Sequence, residues 1–399
     1  MLLTTKLMSP EFEYSTLAAP EDVNQLGKIL DQCFIGSPGQ EAIYINSIGL
    51  ENFRIIRRDQ QVVGGLAILR MGQWWGGQRL PMSGIAAVGI APEYRGDGAA
   101  IALLQHALKE LHNQGSPISV LYPATQYLYR KAGYEQGGSL CFWEMLTDSI
   151  QVKEQPLPLK SIASSNPQVF DEIYQQQVKL TNGYLDRHPA IWQRIVTTQE
   201  KETVFAYLIG TPDQPQGYII FSQERTENGT ILWVRDWAVL TVAAAQSFWS
   251  FIAKHRSQID RVRWQSSIND YLTLLLPEQT AKVFSHKRWM LRLIDVSKAL
   301  EGRGYPPGVQ GELHLEVQDN LLPANNGKFI LSVANGRGEV TSDGRGELQL
   351  DIKGLAPLYT GLFTPEQLQL TGKLTATETA LLTATQIFAG VGPTMPDFF

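Results

Sequence analysis

Residues 88–100 read VGIAPEYRGDGAA and lead directly into IALLQHALKEL at 101–111. A strand of small and branched residues meets an arginine and two glycines, then opens at once into a helix. The apolar stripe of that helix reads as Ala100, Leu103, Leu104, Ala107, Leu108 and Leu111. The first turn of a helix leaves backbone N–H groups unpaired at the positive end of its dipole, so such a turn is an anion cradle. Gly96 and Gly98 carry no Cβ to hold a phosphate off the backbone, Ala99 and Ala100 keep the turn narrow, and Arg95 adds positive charge. The segment lacks the Gly-Lys-Ser/Thr ending of a Walker loop and the spacing of a dinucleotide fingerprint. What remains is Arg-x-x-Gly-x-Ala, which a plain tight turn also satisfies, so its meaning depends on its surroundings.

Upstream, PEDVNQLGKILDQCF places Val23, Leu26, Ile29, Leu30 and Phe34 at helical spacing, and FRIIRR, QVVGGLAILRMGQWW and RLPMSGIAAVGIAP read as a strand meander. Downstream, ISVLY reads as a buried strand and a short helix ends at Gly133. The proline- and serine-rich stretch KEQPLPLKSIASSNPQ at 153–168 breaks the pattern. Strand, strand, long strand and helix then recur in VFAYLIG, GYIIFSQE, ILWVRDWAVL and VAAAQSFWSFIAKHRSQ, the mark of a duplicated domain. From WMLRLIDVSKALEGRGYPP onward, GELHLEVQD, KFILSVAN, RGEVTSD and GELQLDIKG alternate between turn residues as a half-exposed antiparallel sheet does. TPEQLQLTG and TETALLTATQIFAG read as closing helices before the tail VGPTMPDFF.

At 399 residues the chain is long enough for two or three domains of roughly 150 residues each. A net charge of −5 with no Lys/Arg-rich run gives no nucleic-acid footprint. The two cysteines, Cys33 and Cys141, form neither a disulfide framework nor a zinc motif, and no apolar run is long enough to span a membrane. The N-terminus meets Pro and charge too early for a secretory core, so a cytoplasmic protein with no membrane partner is expected. No GxSxG or HExxH occurs, and the six histidines show no close ligand spacing, so no metal is expected.

The turn Arg95–Ala100 resembles the pyrophosphate loop of the Gcn5-related N-acetyltransferase (GNAT) superfamily, and LYRKAGY at 128–134 resembles that family's following helix. Over the whole chain, VGIAPEYRGDGAA, GSPISVLYPATQYLYRKAGY, the WMLRLIDVSKALEGRGYPP junction and a terminal Phe399 resemble the bacterial "enhanced intracellular survival" (Eis) acetyltransferases. The resemblance implies an α/β, mixed α+β architecture. A catalytic acetyltransferase domain at 1–152 and a degenerate second copy at 153–289 precede a sterol-carrier-like domain at 290–399. The matching turn of the second copy reads VLTVAAAQSF, with neither Arg nor Gly, so that copy is expected to bind no coenzyme.

Acetyl transfer to an amine needs a donor to the thioester oxygen and an acid for the departing thiolate. The resemblance assigns acetyl-CoA to Val88, Gly89, Ile90, Arg95, Gly96, Asp97, Gly98, Ala99, Ala100, Ile101, Ala124 and Thr125. It assigns the thiolate acid to Tyr129, with Tyr122, Tyr127 and Tyr134 as nearby competitors, and the general base to the α-carboxylate of Phe399. Tyr44 matches a wall of the amine pocket, while Trp74 and Trp75 line a substrate mouth or cover a core. The implied acceptor is a primary amine of a small polycationic molecule, an aminoglycoside in the family, with a polyamine or protein lysine as alternatives. A homo-oligomer, a hexamer by resemblance, is the expected assembly. The competing reading is a lipid-binding or scaffold protein that works through its third domain and keeps a vestigial coenzyme site.

Overall fold

The computed structural model describes residues 12–198 and 202–399, and among these the strands form two sheets, of 13 and 5 strands. The meander Phe53–Arg58, Gln61–Trp75 and Gln78–Ile90 is covered on both faces, so its middle strand is buried almost throughout. Ala67 and Leu69 join the cluster of Leu26 and Leu30 on the helix Pro20–Phe34, whereas Leu66 and Ile68 join Leu103 and Leu104 on the helix Ala99–Asn113. The stripe of the latter helix begins at buried Ala99 rather than Ala100, which is half-exposed. Arg54 pins this helix to the sheet through a fork onto Glu110 at 2.6 and 2.8 Å.

The two halves exchange strands. Beside Ile118–Leu121 lies not the next strand in the chain but Lys282–Leu293, antiparallel with Met290 opposite Leu121. Glu135–Leu146 pairs on the far side of Lys282–Leu293 and then with Arg261–Ser266, which leads into the strands of the second half. A division at 289/290 therefore cuts a strand in two. Its first half is largely exposed and its end, Trp289–Leu293, fully buried, so one continuous element changes texture in the middle.

Elements with no counterpart in the pattern reading include the helices Gln40–Ile48, Gln168–Val178, Pro189–Val196 and Ile352–Thr360 and the strands Glu135–Leu146 and Arg261–Ser266. The strand expected over GELQLDIKG stops at Asp351, whose carboxylate caps the next helix by accepting from Gly354 N at 2.8 Å. The smaller sheet is mixed rather than wholly antiparallel, because Gly311–Gln318 and Leu348–Asp351 run parallel. Among the described residues no helix is long and apolar enough to cross a membrane.

The third domain is fastened to the first by buried charge. Arg292, on the exchanged strand, donates to both oxygens of Asp319 at 2.9 and 2.8 Å, and Asp319 also accepts from Asn325 and from the backbone of Leu321. Both ionic side chains are fully buried. Removing one member of such a pair strands the other charge in a medium that cannot solvate it. Asp319→Ala is therefore expected to lower the unfolding free energy by about 3–5 kcal/mol, read as a fall in the urea midpoint. Glu347→Ala, at the exposed pair with Arg345, should leave that midpoint unchanged.

Candidate functional site

The site begins where two parallel strands part. Gln78–Ile90 pairs with Ile118–Leu121 at Met82, Ser83 and Gly84, and the register stops at Gly84 opposite Val120. Just beyond, the pairing with the meander slips: Gly65 faces Gly89 while Ala67 faces Ala86, so Ala87 and Val88 together oppose Leu66. This is a β-bulge, and Ala87 sits within it at φ 47°. A non-glycine residue in that region costs on the order of 1 kcal/mol or more. The bulge turns Val88 toward a groove of about 620 Å³ between the parted strands.

Val88, Ile90, Arg95, Gly96, Gly98, Ala99, Ala100, Ile101, Ala124, Thr125 and Tyr129 all line this one groove. Gly98 is the N-cap of the helix Ala99–Asn113 at φ 89°, and no side chain caps that terminus. A Cβ added at Gly96 or Gly98 would meet nothing within 4 Å, so the cradle is open to an incoming anion. Arg95 is held in the wall by bonds to Ile90 O at 3.2 Å and Cys33 Sγ at 3.3 Å. Gly89 and Asp97 are placed differently. The α-carbon of Gly89 faces Leu30 on the other side of the strand, and the Asp97 carboxylate turns outward to Arg58 at 3.1 Å. Pattern reading missed Cys33, Phe34, Tyr94, Leu128 and Lys131 as site residues; with Tyr127 they complete the lining. Of these, Lys131 could have been noticed as a cation one helical turn beyond Tyr127, over whose ring it sits at 4.4 Å.

The second half repeats the turn but closes it. Its helix Val242–Ala253 is capped by Thr241, whose hydroxyl accepts from Ala244 N at 3.1 Å and donates to Gln216 at 2.7 Å. The N–H that an anion would need is already satisfied. The residual groove of about 370 Å³ is lined by Val239, Leu240, Val242, Tyr271, Leu274 and other apolar side chains, with Thr241 its one hydroxylic neighbour besides Tyr271.

The four candidate tyrosines separate by their partners. Tyr122 gives its hydroxyl to Met395 O, Tyr134 shares its own with Ser119 at 2.7 Å, and Tyr127 is exposed under Lys131. Tyr129 is buried in the groove wall, edge-on to Tyr134, and its hydroxyl has no hydrogen-bond partner among the described residues. Burial pushes its phenol up to about 12, so it keeps its proton at neutral pH.

The tail returns to the root of the groove. The Phe399 ring lies against Gly84, the last paired residue before the strands part; a Cβ there would come within 2.5 Å of Phe399 Cε2. Phe398 stacks on Tyr122 at 4.2 Å, and Phe398 O accepts from Arg194 at 3.2 Å. Beside it, Arg194, Glu202, Trp233, Arg235 and Asp397 line a cavity of about 240 Å³. Tyr44 is half-buried, edge-on to Phe53, and its phenol is raised by burial against the opposing charge of Arg194. Trp74 and Trp75 are both buried and cover core rather than a mouth. Among the described residues no group of three or more His, Cys, Asp or Glu is placed to hold a metal ion.

Comparison with known proteins agrees with this geometry. Residues 15–137 and 183–293 each match a family described as an acetyltransferase (GNAT) domain, and residues 296–396 match the sterol carrier protein domain. The crystal structure of a GCN5-related N-acetyltransferase from Anabaena variabilis is 68% identical, with a TM-score of 0.95, covering 98% of this chain and 100% of that one. N-acetyltransferase Eis of Mycobacterium tuberculosis is 25% identical over 325 residues, 76% of each chain. Eis1 from Mycobacterium abscessus, at 20% identity, shares the fold with a TM-score of 0.82 over 98% of this chain and 100% of that one. Two acetyltransferase folds joined by exchanged strands and a sterol-carrier-like third domain, with the 68% identity above, place the chain in the GCN5-related N-acetyltransferase family, in the Eis arrangement.

Proposed function

We propose that this acyltransferase moves the acetyl group of acetyl-CoA to a primary amine, using the first domain alone. The observation that carries the proposal is the pairing of an uncapped helix N-terminus with parted strands and an unpartnered buried phenol in one groove. Acetyl-CoA supplies an activated thioester. The N–H groups of Ala99, Ala100 and Ile101, with Gly96, Gly98 and Arg95, receive its pyrophosphate. Val88, Gly89 and Ile90 offer backbone groups to the pantetheine arm and thioester oxygen, while Ala124 and Thr125 flank it. Asp97 acts only by holding the loop to Arg58. Tyr129 gives its proton to the departing thiolate, and the α-carboxylate of Phe399 takes one from the amine. A free carboxylate with a pKa of about 3.3–3.7 is a weak base, so partial desolvation has to raise it. The Phe399 ring packed on Gly84 supports that role.

The acceptor in this proposal is a polycationic amine of the aminoglycoside or polyamine kind, or a protein lysine, acetylated in the cytoplasm by a homohexamer. The open cradle argues against the reading in which the third domain is the working part and the coenzyme site a relic. A panel of aminoglycosides, polyamines and lysine peptides, assayed by thiol release, tests the acceptor class. Release with at least one member and none with neutral alcohols is expected; thiol release with no amine in the panel would refute it.

Valine cannot follow glycine to φ 89° without strain, and its side chain would enter the cradle. Gly98→Val is expected to abolish acetyl-CoA binding by calorimetry. Val242→Trp, at the exposed entrance of the second copy's groove, should leave the affinity unchanged. Undiminished affinity in Gly98→Val would remove the cradle from the account.

Tyr129→Phe is expected to lower kcat by roughly 10²-fold or more with little change in KM, because an acid on the leaving group acts in the transition state. A phenol raised to about 12 loses its proton only as the pH approaches that value. The alkaline limb of kcat should therefore not fall between about pH 7 and 10 on its account. A limb near pH 9 that disappears in Tyr129→Phe would contradict this assignment.

A further inference from the structure

The second copy has lost its cradle but builds a different device. Arg187, almost wholly buried, lies between two carboxylates: its Nε donates to both oxygens of Asp397 at 3.0 and 3.1 Å, and its Nη1 and Nη2 donate to Asp236 at 2.6 and 2.9 Å. The guanidinium carbon lies 3.8 Å from the ring centre of Tyr174 and 4.4 Å from that of Trp192, and Tyr218 donates to Asp236 at 2.6 Å. Every group of this socket except Asp397 belongs to the second half, and Asp397 stands two residues before Phe399. A planar guanidinium held by carboxylates on two edges and packed against two aromatic rings has one orientation, so it fixes its ligand in direction as well as distance.

The remaining anchors of the tail lie earlier. Ser139 N donates to Pro393 O at 3.1 Å, Thr394 N to Asn182 O at 2.9 Å, and Tyr122 binds Met395 O. Beyond Pro396 the course of the chain depends on Asp397 in its socket, on the stacking of Phe398 and on the exposed Arg194. We propose that Arg187 is a positioning residue for the acetyl transfer: it seats the tail that brings Phe399 to Gly84, and this seat is what the coenzyme-less second copy contributes. The proposal rests on the role given to Phe399 above. A terminal group displaced by about 1 Å can lose about 10²-fold in rate.

The test uses the full chain, with Arg187→Met and Asp397→Ala. The second variant leaves Arg187 paired with Asp236, so it remains informative should Arg187→Met fail to fold. Release of Phe399 by carboxypeptidase, followed by mass spectrometry, reads the seat directly. Acetyl-CoA affinity and the separate kcat and amine KM read its consequence. The expected result is release faster by at least about tenfold, unchanged acetyl-CoA affinity, and a kcat lower by about 10²-fold with little change in KM. Arg187→Lys, which keeps the charge but not the fork, should fall between the parent and Arg187→Met. Parent-like release in Asp397→Ala overturns the seat, and faster release with undiminished kcat overturns its part in catalysis. A parent that acetylates no amine sinks the underlying reading of function, and with it the catalytic part; the release comparison still decides whether Arg187 seats the tail.

Discussion

The proposed chemistry of this chain depends on a gap in a sheet. Two parallel strands hold together only from Met82 to Gly84, and the bulge at Ala87–Val88 carries one of them away from the other. A continuous ladder would satisfy those backbone groups within the sheet and leave nothing to face a ligand. The gap is kept open from outside. The exchanged strand Lys282–Leu293 occupies the far edge of Ile118–Leu121, Arg54 and Glu110 fix the helix that forms the groove's floor, and Phe399 packs at the point of divergence. Contacts from the first copy, the exchanged strand and the tail thus surround the gap.

The two copies differ at the start of one helix by a single cap. Gly98 leaves the N-terminus of its helix unsatisfied; Thr241 satisfies the matching one with its own hydroxyl. A self-capped helix is stabilised locally, and an uncapped one forgoes on the order of 1 kcal/mol in exchange for a binding site. The second copy, with its helix start capped, carries buried charge at Arg187 and Asp236. Arg187 and Asp236 hold Asp397 as Arg292 holds Asp319, so the halves and the third domain are joined by oriented ion pairs as well as by apolar packing.

The open turn was legible in the sequence because its backbone restricts residue type: positive φ at 96 and 98 calls for glycine, and those glycines can be read. Tyr129 was legible only through its place in LYRKAGY, since a tyrosine with a free hydroxyl in a groove wall looks like a packing tyrosine until the partners of Tyr122 and Tyr134 are seen. The bulge was not legible, because alanine at position 87 carries no mark of its backbone angle. Nor was the strand exchange, since Lys282–Leu293 changes from exposed to buried midway and so reads as two elements. Gly354 and Pro357 hid the helix Ile352–Thr360, whose first residues read as the end of the strand GELQLDIKG. Arg187 and Asp397 are 210 residues apart, a distance over which no periodicity connects a charge to its counterion.

The central claim is that one chain holds one acetyl-CoA, in the first copy's cradle, and that the second copy holds none. Calorimetric titration of the intact chain with acetyl-CoA tests it most directly through the stoichiometry. The account predicts a single site per chain. Two sites would show that a helix capped by Thr241 still accepts the coenzyme, and the absence of any site would show that the open groove at Gly98 is not a coenzyme cradle; either result contradicts it.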